Sequence, residues 1–202
     1  MTQNLRITGT ISAADSNFEG EDFNVSEYDL KSNGTECGKC FESRNDGGCR
    51  MACARVPDPA DLSTIGGVGA TDASVGVWYN YYAATAGTVS GTSNASSAVY
   101  DICPSGWHLP SGPNTNVGSD FNRLVGNTNG PQEPTIGLLA FDAVTGGWYN
   151  NGKLFNVEYG FWWSSTADSR NRYVLLNNNY KKFYSSSWTR LAGLFVRCVR
   201  SS

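Results

Sequence analysis

Gly160-Phe161-Trp162-Trp163-Ser164-Ser165-Thr166 and Leu194-Phe195-Val196-Arg197-Cys198-Val199 are two rigid, mainly apolar stretches near the end of a 202-residue chain. Between them runs a polar insert, Asp168 to Arg190, whose aliphatic content is confined to Val174, Leu175 and Leu176. The rest of the insert is rich in Tyr, Ser, Asn, Arg and Trp. Antibody combining sites use the same mixture, in which Tyr and Trp give contact area at little entropic cost while Ser and Asn adapt their hydrogen bonds. The contrast reads as a binding surface mounted on a fixed frame.

Outward from this frame, strand signals recur. Gly146-Gly147-Trp148-Tyr149 and Gly152-Lys153-Leu154-Phe155 flank Asn150-Asn151-Gly152, a hairpin turn signal because Asn and Gly tolerate positive φ. Tyr173 to Leu176, Phe161 to Ser165 and Leu194 to Arg200 are further strand candidates, as is Val77-Trp78-Tyr79-Asn80-Tyr81-Tyr82, which is aromatic and β-branched in character. Ala83 to Ser97, rich in Gly, Ala, Ser and Thr, reads as loop. The best helix candidate starts near Ser119, a capping residue followed by Phe121, Leu124 and Val125 on one helical face. The expected class is α+β, an antiparallel sheet of short strands with one or two helices and many loops. Two parts are expected: an N-terminal segment, residues 1–76, packed on or part of the main domain, and a main domain over residues 77–202.

Composition narrows the function. Charged residues are only 16% of the chain and aromatics 12%, with 23 glycines, as in a loop-rich fold of short strands with ring-built core and patches. A chain of this length buries about 70% of its extended surface. No stretch is long enough to span a membrane as a helix, and the first residues show no signal-peptide pattern. The net charge of −3 is unevenly spread. Residues 161–202 carry seven basic side chains (Arg170, Arg172, Lys181, Lys182, Arg190, Arg197, Arg200) against Asp168 alone, on an otherwise acidic chain. Such an end steers an acidic or polar partner. No nucleic-acid-binding motif accompanies the charge, so nucleic acid is not the expected partner.

Six cysteines divide into a cluster (Cys37, Cys40, Cys49, Cys53) and a distant couple (Cys103, Cys198). The cluster spacing is short for a two-knuckle zinc site, and two local disulfides stapling a Gly-rich loop are the preferred reading; zinc held by Cys37, Cys40, Cys49 and Cys53 is the alternative. A bridge between the distant couple would close a loop of ~95 residues and stabilise by ~4–5 kcal/mol in the chain-entropy treatment. An even cysteine count in this layout points to an oxidising location: extracellular, on a cell surface or on a virion.

Cys103-Pro104-Ser105-Gly106-Trp107-His108-Leu109-Pro110, taken with Phe161 to Thr166 and Gly193 to Val199, resembles the Fibrobacter succinogenes major paralogous domain, a branch of the C-type-lectin-like fold. The resemblance runs from about Trp78 to Arg200; Leu194 and Phe195 depart slightly from the family's usual Gly-Phe-Ser-Val-Arg-Cys. It implies that the strand after Cys103 lies near the last strand, which favours a Cys103–Cys198 bridge. It also implies that the chain is similar to the variable proteins of diversity-generating retroelements, in which adenine-directed mutagenesis rewrites Asn-type codons near the C-terminus. Residues 168–190 fall where such a variable region would lie. Their Asn, Ser, Tyr, Asp and Arg content fits that origin, whereas Trp188, Lys181 and Lys182 follow from it less simply.

The expected function is non-enzymatic ligand binding, either receptor recognition or adhesion, through a solvent-facing, sequence-variable surface that includes Asp168. Trp188 and Tyr184 would be anchors, Arg170, Arg172 and Arg190 charged contacts, and Ser185, Ser186, Asn177 and Asn179 adaptable hydrogen-bonders. Arg170 and Arg172 would alternate onto one strand face. The partner would be a protein or glycan on another surface. Trp162 and Trp163 read as core, one ring on each face of a strand, and Arg197 as structural. His108, the only histidine, reads as packed and hydrogen-bonded within the frame. The alternatives are a structural or adhesive surface domain with no selected binding site and, less favoured, an oxidase similar to the formylglycine-generating enzymes. The latter needs a reactive cysteine pair near the C-terminal frame, which the sequence lacks. Calcium-dependent sugar binding also lacks its motifs, since Gln132-Glu133-Pro134-Thr135 is without the required Asn and residues 162–202 hold one carboxylate. No cofactor is required, with calcium or zinc left as alternatives.

Overall fold

Trp163 and Trp162 are consecutive residues of one strand, and both are fully buried, on opposite faces of the sheet they help to build. The computed structural model describes residues 5–6, 9–11, 16–17, 23–25, 40–43, 49–51, 54–55, 65, 76–86, 98–112, 119–124, 146–150, 152–167, 171–177 and 182–201. Six short strands come first: β1 (Gly9–Ile11), β2 (Ser16–Asn17), β3 (Phe23–Val25), β4 (Cys40–Ser43), β5 (Cys49–Met51) and β6 (Ala54–Arg55). They are followed by β7 (Trp78–Tyr79), helix α1 (Tyr81–Ala84), β8 (Asp101–Pro104), β9 (Trp107–His108) and helix α2 (Asp120–Leu124). The remainder is β10 (Trp148–Asn150), β11 (Lys153–Phe155), β12 (Tyr159–Ala167), β13 (Asn171–Asn177), β14 (Lys182–Trp188), β15 (Leu194–Phe195) and β16 (Val199–Arg200). The class is α+β, rich in strands, with two short helices among the described residues.

The main sheet has the order β14-β13-β12-β15-β7-β6. Every pair in it is antiparallel except β12–β15, which meets in parallel at Trp162 and Phe195. β6 therefore brings part of residues 1–76 into the main sheet. Leu5 joins from the same segment, its N–H donating to the Val196 carbonyl at 2.7 Å. Against one face lies a core that includes Val77, Tyr79, Tyr81, Ile102, Leu109, Phe161, Trp163, Leu194 and Val196. On the other face Trp162, Phe195, Trp78 and Tyr149 form a chain of rings, with centroids 5.4 to 6.4 Å apart. A sheet buried on both faces has a continuous apolar run instead of alternation, and Gly160-Phe161-Trp162-Trp163 is such a run.

The frame motifs have local reasons. Gly160 lies under the Trp162 indole, so a Cβ there would run into Trp162 Cη2. The β12–β13 register shifts between Trp163 and Ala167, and the Ser164-Ser165-Thr166 stretch makes up the lost ladder bonds. The Thr166 N–H donates to Ser164 Oγ at 3.2 Å, Thr166 Oγ1 accepts from the Gly112 N–H at 2.7 Å, and the Ser165 N–H donates to the Pro110 carbonyl at 2.9 Å. In the Cys103–Pro110 motif the buried Asp101 carboxylate accepts from the N–H groups of Cys103 (2.8 Å) and Leu109 (2.9 Å), pinning both ends of the turn in which Gly106 has φ of +79°. Cys103 and Cys198 are disulfide-bonded with a Cα–Cα distance of 5.8 Å, and β9 pairs with β16 beside them.

Two expectations need correction. Val77 to Tyr82 is not one strand: β7 ends at Tyr79, and Asn80 caps α1 by accepting the Ala83 N–H on Oδ1 at 2.9 Å. Leu194 to Arg200 is likewise broken into β15, in the main sheet, and β16, in a separate ladder with β9. The polar insert is largely strand, because β14 follows β13 as its antiparallel partner. The expected helix begins at Asp120, with Ser119 and Phe121 buried. The expected turn separates β10 from β11, with Gly152 at φ +71°. Cys37 and Cys53 lie outside the described residues, while Cys40 and Cys49 lie on the paired β4 and β5. Among the described residues no helix is long and apolar enough to cross a membrane.

Candidate functional site

The insert joins the frame at two roots that are both seated in the interior. At the first, Phe161 to Ser165 are buried and Trp163 Nε1 donates to the Tyr79 carbonyl at 2.7 Å. At the second, Ala192 to Cys198 are buried, and Gly193 and Tyr149 exchange backbone hydrogen bonds of 2.7 and 2.9 Å. Arg197 belongs to this second block and is 1% exposed, so it adds nothing to the surface charge. Arg200, on β16 opposite Trp107, is also outside the main sheet. Of the seven basic residues in the C-terminal segment, Arg170, Arg172, Lys181, Lys182 and Arg190 remain between the roots, against Asp168.

Between the roots, β13 and β14 form a continuous hairpin ladder in which Asn171 faces Trp188, Tyr173 faces Ser186, Leu175 faces Tyr184 and Asn177 faces Lys182. The intervening pairs are Arg172 with Ser187, Val174 with Ser185 and Leu176 with Phe183. Alternation divides these positions. Asn177, Tyr184, Ser186 and Trp188 fall on the face that carries Phe161 and Trp163. Arg172 and Ser185 fall on the face that carries Trp162. The candidates in the hairpin are thus split between two faces, which the sequence reading did not anticipate. Asp168, Arg170 and Asn179 lie outside the described residues, so the alternation of Arg170 with Arg172 does too.

Arg190 occupies a different place from the rest. Its carbonyl accepts the Tyr81 N–H at 3.0 Å, and its guanidinium carbon stands 5.9 Å from the centroid of the Tyr81 ring. It ties the end of the insert to α1. Tyr81 itself escaped the sequence reading, which had placed it in a strand. Asn80, a capping residue directly before Tyr-Tyr-Ala-Ala, was the available signal. Burial pushes the Tyr81 hydroxyl well above its usual range, with the Arg190 charge opposing the shift.

His108 bridges α2 and the end of the chain. Its Nε2 lies 3.0 Å from Asp120 Oδ2 and its Nδ1 3.1 Å from Ser201 Oγ. An ionised carboxylate only accepts, so Nε2–H is the donor, and with a neutral ring Nδ1 accepts from the serine hydroxyl. Desolvation raises the Asp120 carboxyl, but the Ser111 N–H and hydroxyl together with His108 outweigh it and hold it below the usual range. These bonds fasten α2 to Ser111 and β9. Among the described residues no three of His, Cys, Asp or Glu come together to ligate a metal.

Comparison of the chain with protein-family models, characterised proteins and solved structures finds no match.

Proposed function

We propose that this chain is a non-enzymatic ligand-binding protein with a C-type-lectin-like fold, and that the β13–β14 hairpin with its connecting residues, 168–190, is its recognition element. The observation that carries the proposal is the change in character across a continuous ladder. β12 is buried through Phe161 to Ser165, while the two strands beyond it mix Asn, Arg, Lys, Tyr, Ser and Trp with Val174, Leu175, Leu176 and Phe183 and end the sheet on that side in the order of described strands. A preformed frame removes much of the ordering cost from binding, so sequence changes in the hairpin redirect specificity without rebuilding the core. Tyr184 and Trp188 are the anchors, Asn177 and Ser186 share their face as adaptable hydrogen-bonders, and Arg172 and Ser185 serve the opposite face. Asp168, Arg170 and Asn179 complete the surface from the connecting residues, and Arg190 adds charge at the root. Adenine-directed diversification of these codons, of the kind used by diversity-generating retroelements, supplies the variation. The partner is a protein or glycan displayed on another surface, met outside the cell; the Cys103–Cys198 disulfide is compatible with that setting.

The proposal is tested by two display libraries on the full chain. One randomises Arg172, Asn177, Tyr184, Ser185, Ser186 and Trp188; the other randomises the exposed Val99, Arg123, Lys153, Phe155, Glu158 and Arg200. Selection of both against the same set of purified acidic proteins should recover binders at least about tenfold more often from the hairpin library. Equal recovery would remove the hairpin's special standing.

A further inference from the structure

We infer that Tyr81 is a positioning residue for the hairpin, holding together the two roots from which β13 and β14 project. The inference takes the hairpin as the binding element, as proposed above, but its geometry stands apart from any ligand. The Tyr81 hydroxyl donates to the Ser164 carbonyl at 3.2 Å, at the point where the β12–β13 ladder loses register. The Tyr81 N–H donates to the Arg190 carbonyl at 3.0 Å, two residues beyond the end of β14. The Arg190 guanidinium lies over the Tyr81 ring, and Trp163 meets that ring edge-on with centroids 4.9 Å apart. One fully buried residue therefore touches the chain both before the hairpin leaves the frame and after it returns.

The two roots are not equivalent. The first is secured by the β12–β13 ladder itself. The second follows β14, which among the described strands pairs with β13 alone, so the return path depends on contacts made after Trp188. Those contacts begin with the Arg190–Tyr81 pair and the Ala192 N–H donating to the Thr189 carbonyl at 3.2 Å, followed by the Gly193–Tyr149 exchange and the pairing of β15. Tyr81 is in turn fixed by its place at the start of α1, behind the Asn80 cap. Its hydroxyl thereby sets where Arg190 stands relative to Ser164, and so how β14 is presented.

Hydrogen exchange read by mass spectrometry on the full chain tests this, using Tyr81→Phe, Arg190→Gln and a control, Ile102→Val, in the buried β8. Tyr81→Phe should speed exchange of amides 171–177 and 182–188 about tenfold relative to those of β8, the change expected when one buried hydrogen bond is lost. Arg190→Gln should speed them about two- to fivefold, matching a lost cation–π contact, and Ile102→Val should leave the ratio of hairpin to β8 exchange unchanged. If Tyr81→Phe fails to fold, the Arg190→Gln ratio decides. An unchanged ratio in the decisive variant, or an equal change in Ile102→Val, would overturn the clamp. Neither result touches whether the hairpin binds, and a hairpin that binds nothing would leave the exchange result standing.

Discussion

Replacing Cys103 and Cys198 together by alanine should cost about 4–5 kcal/mol of unfolding free energy. The bridge spans 95 positions, and the chain-entropy relation gives about 4.7 kcal/mol for a loop near that length. Both half-cystines are buried, so the voids left by the sulfurs add to the loss. The closed loop runs from the end of β8 through β12, β13 and β14, so the tether encloses the whole of residues 168–190. A domain holds about 5–15 kcal/mol in total; the variant therefore stays marginally folded, with Tm lower by about 10–20 °C. Urea unfolding with linear extrapolation checks the figure. A loss under about 1 kcal/mol would refute the reasoning, because it would mean that the unfolded chain is already confined or that the bridge strains the native state as much as it helps.

Gly160→Ala should destabilise by about 1–3 kcal/mol, since the new methyl meets the Trp162 ring, whose Cζ3 and Cζ2 would lie 2.6 and 2.8 Å away, and that ring is fully buried with no free volume to enter; thermal unfolding measures it, and pairing the change with Trp162→Phe should recover part of the loss. Asp120→Asn should cost about 1–2 kcal/mol at pH 7. Because the folded-state pKa of Asp120 is depressed, its contribution is full above about pH 3.9 and disappears as pH falls through the lower folded value. Stability curves of wild type and Asp120→Asn should therefore converge below about pH 3.9, and parallel curves down to pH 2 would be the wrong outcome.

Much of the frame was legible because its signals are local. Asn150-Asn151-Gly152 needs positive φ at its glycine, Ser119 stands just before α2, and two adjacent tryptophans in a run without alternation can only be buried on both sides. What stayed hidden depended on pairing across the chain. Lys182 to Trp188 places three consecutive serines between Phe183-Tyr184 and Trp188, with no alternation to mark it, so its strand is settled by the ladder with β13. Trp78 and Tyr81 look alike as aromatic, β-prone residues, and only the Asn80 cap decides that the second begins a helix. The break between β15 and β16 follows from two different partners, β7 and β9, competing for one continuous apolar stretch. The division of the candidate contacts between two faces needed the β12–β13 register, since a one-residue slip would have exchanged them.

The most direct test of the hairpin as a diversified recognition element is sequencing of codons 160–200, with the surrounding DNA, across many cells of the source population. The account predicts substitutions concentrated in codons 168–190, beside a reverse transcriptase gene and a near-copy of the segment differing at adenines, with codons 160–166 and 193–199 constant. Substitutions spread evenly over the frame and the insert, with no such near-copy, would contradict it.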